Sequence, residues 1–209
     1  FEAMDRGHLH ANDALHVSSN ATRQPPSKLG LRVGQSISAQ QAILVLVTRS
    51  ANDVAVALAE TIGGSTRNFA RMMNERAASL GMKGTHFANP SGLPDPNQYT
   101  TARDIALLSR SLMQYFPHYY HYFGVRQCNF RGEEINTHNN LMCRYPGMDG
   151  LKTGYINTSG FNLAASAVRN NRRVIVVVFG GRTANSRDRH VADLLDKGFE
   201  MLQNQPASP

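Results

Sequence analysis

Two short groups of residues have side-chain types that could take part in acyl transfer. The first is Ser50-Ala51-Asn52, and the second is Lys152-Thr153-Gly154. Acyl transfer to a serine needs a group that moves a proton and a fixed positive charge for an anionic substrate. A hydroxyl at Ser50 can relay a proton, and Lys152 supplies positive potential. Either triplet alone is weak evidence, because Ser-x-Asn is also an ordinary helix N-cap.

The remaining members of the two triplets suit the recognition of a peptide end. Asn52 can hold a substrate amide, and Thr153 can hydrogen-bond a terminal carboxylate. Gly154 has no side chain and would let a substrate backbone approach the edge of a strand. These residue types are compatible with binding a peptide end, but they do not by themselves specify a function.

Helix signals surround the first triplet. Ser38 is placed to cap a helix whose apolar positions 42, 43, 46 and 47 fall at helical spacing. Asn52 and Asp53 are predicted to cap a second helix, which ends at residues 63–64. Ser65 predicts the start of a third helix that stops at Gly81.

A fourth helix is predicted to begin after Thr101 and to end near Pro117. Thr101 and Asp104 resemble a capping box, and an apolar stripe predicts the buried face of this helix. The stripe consists of Ile105, Leu108, Leu112 and Met113.

After Val125, apolar and polar residues alternate with a period of two, which predicts a sheet. A turn is predicted at 131–133, and further strands at 151–156, 161–168 and 173–179. The second triplet is predicted to lie on a strand at the centre of this sheet. Asn170 and Asn171 fit a tight antiparallel hairpin because Asn tolerates positive φ. The unbroken apolar run 174–179 predicts a strand buried on both faces by helices, one of them at 185–202.

These elements form blocks rather than a β-α-β alternation, so the fold class is predicted to be α+β. We expect a single domain over residues 1–202, with a helical part at about 38–124 and a sheet part at about 125–202. Residues 203–209 are expected to form a flexible tail. Loop-rich residues 13–34 should contain short extended pieces such as 28–33, and residues 1–7 read as the end of a helix closed by Gly7.

In combination the triplets resemble the second and third motifs of penicillin-binding proteins and serine β-lactamases, whose first motif is Ser-x-x-Lys. The resemblance is carried further by collinear stretches at 50–59, 81–87, 91–94, 101–106, 149–155, 159–167 and 180–183. It narrows the family to the low-molecular-weight D-alanyl-D-alanine carboxypeptidases. The resemblance implies a β-lactamase/transpeptidase-like fold, in which an antiparallel sheet has helices on both faces and a helical subdomain beside it.

The resemblance also implies roles for individual residues. Ser50, Asn52 and Lys152 would be catalytic, while Thr153 and Gly154 would bind substrate. The backbone N–H of Tyr155 would be half of an oxyanion hole, and Arg187 would lie near the substrate carboxylate. His138 falls near a position where some relatives carry arginine.

The implied activity is that of a serine-type D-Ala-D-Ala carboxypeptidase, which trims the terminal D-alanine of peptidoglycan pentapeptides through an acyl-serine. The implied partners are the peptidoglycan stem peptide and β-lactam antibiotics, with no cofactor and no metal. The expected location is periplasmic or secreted. Association of the protein with the inner membrane stays open as an addition to this location. DD-endopeptidases and β-lactamases share the acylation apparatus and stay open as alternatives within the class.

The sequence departs from the family pattern at the nucleophile. Its four lysines are preceded, at the spacing of Ser-x-x-Lys, by Pro25, Leu80, Asp149 and Leu194. The motif is expected to belong just upstream of Phe1, and this chain alone is expected to be inactive. The alternative is a non-catalytic fragment or pseudoenzyme that binds peptidoglycan peptides.

A formal charge of +7 favours anionic surroundings. The arginines are scattered, and no basic tract is interleaved with aromatics, so nucleic acid is not an expected partner. Peripheral contact with an anionic membrane is compatible with the charge. Cys128 and Cys143 fit neither a CxxC motif nor a zinc ligand set, and their oxidation state is left open.

Overall fold

The computed structural model describes residues 1–204 of the chain. Short helices and strands open it, four longer helices follow, and a three-stranded sheet with a long helix closes it. The helices are α1 (Glu2–Asp5), α2 (Ser19–Thr22), α3 (Ala39–Arg49), α4 (Asn52–Gly63), α5 (Thr66–Ser79), α6 (Ala102–Tyr115) and α7 (Ala184–Gln203), with 3₁₀ helices at Tyr120–Gly124 and Asn140–Cys143. The strands are β1 (Ala14–His16), β2 (Ser36–Ser38), β3 (Gln127–Phe130), β4 (Glu133–Asn136), β5 (Met148–Ile156), β6 (Gly160–Arg169) and β7 (Arg172–Gly181).

A first hydrophobic core lies beneath α3 and α4. It joins Leu15 of β1 and Ile37 of β2 to Val45 of α3 and to Val54 and Val56 of α4, all 2% exposed or less. The predicted caps of the neighbouring helices are confirmed, because Ser38 accepts the N–H of Gln41 and Ser65 accepts the N–H of Asn68. This core fixes the junction between α3 and α4, where the first triplet lies.

The second core lies between the sheet and α7. Antiparallel strands run in the order β5-β6-β7. Residues Leu163, Val176 and Val178 of the sheet pack against Val191 and Leu195 of α7. The opposite face of β6 carries Ala164 and Ser166, and it faces the first triplet. The α+β class is confirmed, as is the β6–β7 hairpin, in which Asn170 and Asn171 have φ of 48° and 58°.

The strand order overturns two predictions. The strand that carries Lys152 is an edge strand, β5, and not the centre of the sheet. The apolar run 174–179 lies on the other edge strand and is only partly buried, with Phe179 41% exposed. The doubly buried strand is β6, whose small side chains at 164–167 leave room for close packing.

Several local predictions are also corrected. Strands β3 and β4 pair in a hairpin of their own that packs on α3, so the sheet predicted to begin at 125 is not continuous. Residues 28–33 contain no strand, since the extended pieces that pair are β1 and β2. In the described chain, Gln203 ends α7, and residues 205–209 of the predicted tail lie outside the described residues.

The stripe predicted for α6 is half-buried, because this helix packs mainly against the edge strand β7. Its buried residues are instead Asp104 and Ser109. Thr101 caps the helix as predicted, but the Asp104 carboxylate does not complete the capping box. It accepts the backbone N–H of Gly84 at 2.8 Å and the hydroxyl of Thr85 at 2.7 Å.

Among residues 1–204, no helix has the length and apolar character needed to cross a membrane.

Candidate active site

Ser50 lies at the turn between α3 and α4. Its backbone has φ 57° and ψ 44°, in the left-handed region, and its N–H donates to the carbonyl of Leu46. A residue with a side chain is uncommon in this conformation, and such residues concentrate at functional sites. The conformation ends α3 one residue before Ala51, the N-cap of α4.

The loop 25–31 is fastened to this junction by a buried carboxylate. Asp53 is fully buried, and it accepts the backbone N–H groups of Leu29 at 2.9 Å, Gly30 at 2.8 Å and Leu31 at 3.2 Å. The prediction that Asn52 and Asp53 cap α4 is therefore wrong. The N-cap residue is Ala51, which makes no side-chain cap bond, and the Asp53 carboxylate accepts the N–H of Val54 in the first turn as well as those of the loop.

Asn52 makes further contacts with the same loop. Its backbone N–H donates to the carbonyl of Ser27 at 2.8 Å, and its side-chain amide donates to the carbonyl of Pro25 at 2.9 Å. The hydroxyl of Ser27 donates to the carbonyl of Arg49 at 2.8 Å. Asn52 thus holds the wall of the cleft in this structure, and its predicted contact with a substrate amide stays a prediction.

Lys152 reaches Ser50 from the opposite wall. Its ammonium donates a hydrogen bond to the Ser50 hydroxyl and another, at 2.7 Å, to the carbonyl of Thr153. The two residues are 102 positions apart in the sequence. The structure therefore brings the two triplets together across one cleft.

Burial changes the acid strength of Lys152. Removal from water disfavours the ammonium and lowers the pKa of Lys152 to about 8. Near pH 8 both protonation states of the lysine are populated, so it can hold a positive charge or exchange a proton with the hydroxyl it contacts.

Two further basic side chains lie near Lys152. The backbone N–H of His138 donates to the carbonyl of Thr48 at 3.1 Å, which places His138 beside the end of α3. Partial burial, and then the charges of Lys152 and Arg49, lower the pKa of His138. Arg49 itself pairs with Glu133 of β4 at 3.2 Å. The ammonium of Lys152 is therefore the positive group of the cleft that could attract an anionic ligand.

The other residues of the second triplet lie along β5. Thr153 is half-buried and Gly154 is exposed. A Cβ built on Gly154 would meet only the Cβ of Asn162, at 4.0 Å, so neither packing nor backbone conformation within the described chain requires a glycine there. The glycine leaves open space beside the edge strand, as predicted from the sequence.

Tyr155 follows the triplet at the exposed end of β5. Its side chain is 56% exposed and lies against Phe161, with 4.5 Å between the ring centroids. Its hydroxyl donates to Asn157 at 2.9 Å. The role of its backbone N–H in an oxyanion hole stays a prediction.

Arg187 is not brought into contact with Ser50 or Lys152. It lies in the first turn of α7, only 4% exposed, and its Nε and Nη2 donate to Asp188 at 3.0 and 2.6 Å. Its Nη1 donates to the carbonyl of Asn162, the residue paired with Gly154. A substrate carboxylate would have to compete with Asp188 for this guanidinium, and the predicted contact stays a prediction.

Sequence reasoning missed Arg49 and the loop 25–31 as parts of the site. Arg49 directly precedes Ser50, so its position next to a candidate residue was the available signal. The loop gave no signal, because its contacts with Asp53 join residues more than 20 positions apart. The 204 described residues hold no group of three or more His, Cys, Asp or Glu arranged for a metal ion, and Cys128 and Cys143 are both free thiols.

Comparison with solved structures defines the class of fold. The chain is similar to penicillin-binding protein 5 from Haemophilus influenzae, with a TM-score of 0.90 and 33% identity, over 95% of this chain and 59% of that one. It is also similar to penicillin-binding protein D2 from Listeria monocytogenes in its ampicillin-bound form, with a TM-score of 0.85 and 28% identity, over 95% of this chain and 81% of that one. The fold is that of the penicillin-binding proteins.

Comparison of the sequence with protein families and curated relatives identifies the family within this class of fold. The family described as D-alanyl-D-alanine carboxypeptidase, peptidase S11, matches residues 1–183. The chain is 34% identical over 210 residues to the D-alanyl-D-alanine carboxypeptidase DacF of Bacillus subtilis, and the match covers 98% of this chain and 54% of DacF. The chain belongs to the D-alanyl-D-alanine carboxypeptidase family. It spans about half the length of the curated relatives it matches.

Proposed function

We propose that this chain forms two walls of the active site of a serine D-Ala-D-Ala carboxypeptidase. The observation that carries the proposal is the hydrogen bond from Lys152 to Ser50 across the cleft. Family membership supports the reaction type, because the matching relatives are named as D-alanyl-D-alanine carboxypeptidases.

In the proposed reaction, a serine of a Ser-x-x-Lys motif outside these 209 residues attacks the carbonyl carbon of the penultimate D-alanine. Its proton passes through the Ser50 hydroxyl to the amine of the terminal D-alanine, which leaves as that C–N bond breaks. The Lys152 ammonium and the Thr153 hydroxyl hold the terminal carboxylate. Water then hydrolyses the acyl-serine and restores the free enzyme.

The proposed ligands follow from the same geometry. The free edge of β5 offers backbone groups to an extended peptide, and the Lys152 ammonium suits its carboxylate end. The ampicillin-bound structure of the Listeria relative supports β-lactams as ligands of this site. We propose the peptidoglycan stem peptide as the substrate.

The test uses the native gene product that contains this chain. Fluorescent penicillin should label a serine of a Ser-x-x-Lys motif in that product, and a peptide ending in D-Ala-D-Ala should lose one D-alanine. A product that contains the motif and takes up no penicillin would overturn the proposal. A native product that begins at Phe1 and binds the peptide without cleaving it would establish the alternative, a non-catalytic peptidoglycan-binding protein.

We also propose a location outside the cytoplasm, where this substrate occurs, with peripheral contact with anionic membrane lipids. The net charge of +7 supports attraction to such a surface. Cell fractionation should find the protein in the periplasmic or secreted fraction, and sedimentation with phosphatidylglycerol vesicles should weaken as salt rises. Recovery in the cytoplasm alone would contradict this location.

A further inference from the structure

A polar cluster spans the sheet next to Lys152 and has no role in the proposed reaction. Arg173 of β7 donates to Asp149 at 2.7 Å and to Ser166 of β6 at 2.5 Å. Tyr120, in the first 3₁₀ helix, donates its hydroxyl to Asp149 at 3.2 Å. Its ring also lies under the guanidinium of Arg173, with 5.1 Å from Cζ to the ring centroid.

The cluster lies on the face of the sheet that carries Lys152. Ser166 is paired with Gly150, and Ala164 is paired with Lys152. Directly paired residues share a face, and residues two apart on one strand lie about 7 Å from each other. Arg173 is paired with Val168, but its guanidinium reaches back to Ser166, which is two residues along β6 from the partner of Lys152.

Asp149 also marks an irregularity in β5. The register of β5 against β6 shifts between Met148 and Gly150, so Asp149 is the additional residue of a bulge. Bulges bend a strand and redirect the side chains that follow. Gly150 fits closely there, because a Cβ on it would come within 3.0 Å of the Cβ of Phe123 and 3.3 Å of the Tyr120 hydroxyl. The carboxylate of Asp149 fastens this bulge to β7 and to the 3₁₀ helix.

We propose that Asp149 and Arg173 are positioning residues, which hold the bulge that directs Lys152 at Ser50 and which cancel each other's charge beside it. This inference rests on the proposed function. A lysine that binds a carboxylate must point in a fixed direction, and unbalanced charges near it would change its pKa. Tyr120 assists as a donor, because burial raises the pKa of its hydroxyl above its usual range and keeps it protonated.

Other groups also face Lys152, and the test must account for them. They are Ser50 at the α3–α4 junction, and His138 with Arg49 beside it. All three are left unchanged in the variants below, so differences between variants report the Asp149–Arg173 pair alone.

The test measures the pKa of Lys152 in the 209-residue chain by competitive acetylation with acetic anhydride over a range of pH, resolved by mass spectrometry. Asp149→Asn leaves the positive charge of Arg173 uncompensated and should lower the pKa of Lys152. Arg173→Gln leaves the negative charge of Asp149 and should raise it. Each shift should be about 0.5 pKa units, given partial screening of a pair about one-third exposed. The double variant Asp149→Asn/Arg173→Gln should return close to the wild-type value.

A purely structural role predicts a different pattern. Loosening of the strand would expose Lys152, so both single variants would raise its pKa, and the double variant would not restore it. That pattern, or no shift in either variant, would overturn the proposal. Asp196→Asn is the matched control, because it breaks the Arg169–Asp196 pair at the α7 side and should leave Lys152 unchanged.

Circular dichroism checks the fold of each variant. If Asp149→Asn does not fold, Arg173→Lys against Arg173→Gln carries the same comparison, since lysine keeps the charge and glutamine removes it. The measurement needs no nucleophile and no penicillin. Failure of penicillin labelling would therefore remove the proposed function without affecting this result.

Discussion

Ser50 and Lys152 depend on each other because the ammonium of Lys152 donates to the Ser50 hydroxyl in a cleft where both residues are half-buried. The ammonium of Lys152 has the Ser50 hydroxyl and one carbonyl as acceptors. An ammonium is a point charge with three donors, so one of them stays available for a ligand. This is the arrangement expected of a group that must bind a carboxylate without losing its direction.

Replacement of Lys152 by methionine should abolish this charge while keeping the length of the side chain. In the native gene product, the second-order rate constant for acylation by penicillin should fall about 100-fold or more, as for the loss of one strong donor to a reacting group. Stopped-flow fluorescence with a labelled penicillin measures the rate. Lys197→Met, which removes an exposed lysine of α7, is the control and should leave the rate unchanged. An unaltered rate in Lys152→Met would contradict the role given to this residue.

The lowered pKa of Lys152 also predicts how stability varies with pH. Burial lowers the pKa from 10.5 to about 8, so between these values the unfolded chain holds a proton that the folded chain has released. Stability contributed by this site should therefore rise as pH increases from about 8 to 10.5, and should stay constant below pH 8. Thermal unfolding should give a difference in stability between Lys152→Met and the wild type that is constant below pH 8. Above pH 8 the wild type should gain stability relative to the variant, since the cost of a buried ammonium then diminishes. A gap independent of pH from 6 to 10 would count against a buried lysine.

At the scale of elements, the cleft wall depends on a loop that has no regular structure of its own. The loop 25–31 is held by Asp53, which accepts three of its backbone N–H groups. Charged acceptors make the stronger hydrogen bonds, and buried donors left without an acceptor are costly. The start of α4 thus orders the loop as well as the Ser50 turn.

Asp53→Ala should therefore destabilise the chain by about 3 kcal/mol, because the three loop N–H groups and the N–H of Val54 lose one buried acceptor. Urea denaturation measures the loss, and hydrogen exchange should show faster exchange at Leu29, Gly30 and Leu31. Asp193→Ala, at an exposed position on α7, is the matched control and should change stability by less than about 0.5 kcal/mol. Retained protection of the three amides in Asp53→Ala would show that the loop is ordered by other contacts.

The elements that sequence could predict are those fixed by neighbouring residues. Ser38 and Ser65 cap helices as predicted, since a cap and its partner are three residues apart. Asn170 and Asn171 form the predicted hairpin for the same reason. The order of strands is not local, and the predicted central position of the Lys152 strand was wrong because no residue of β5 specifies which strands pair on either side of it.

The candidate site divides in the same way. Family resemblance predicted that Ser50 and Lys152 would meet, and the structure confirms the contact. Spacing alone could not have done so, because nothing in either triplet specifies a partner 102 residues away. The contacts of Asp53 with the loop and of Arg173 with Asp149 were not predicted, since charged residues of this kind are usually solvated on a surface.

At the scale of the whole molecule, the cleft lies between two separate hydrophobic cores. Ser50 is held by the core beneath α3 and α4, whereas Lys152 is held by the core between the sheet and α7. Regions with their own cores often open independently in the native state. The distance between the two catalytic candidates therefore depends on how the two cores are held together.

Leu195→Ala tests this dependence in the second core. Leu195 is fully buried in α7, and its truncation should cost about 3 kcal/mol through lost burial and a residual cavity. Hydrogen exchange should show greater loss of protection in β6 and α7 than in α3 and α4, and Val54→Ala in the first core should show the reverse. Acetylation of Lys152 at pH 7 should become faster in both variants, because either core can release one wall of the cleft. Equal loss of protection across both cores would mean that the molecule opens as one cooperative unit. Exposure of Lys152 would then require unfolding of the whole chain.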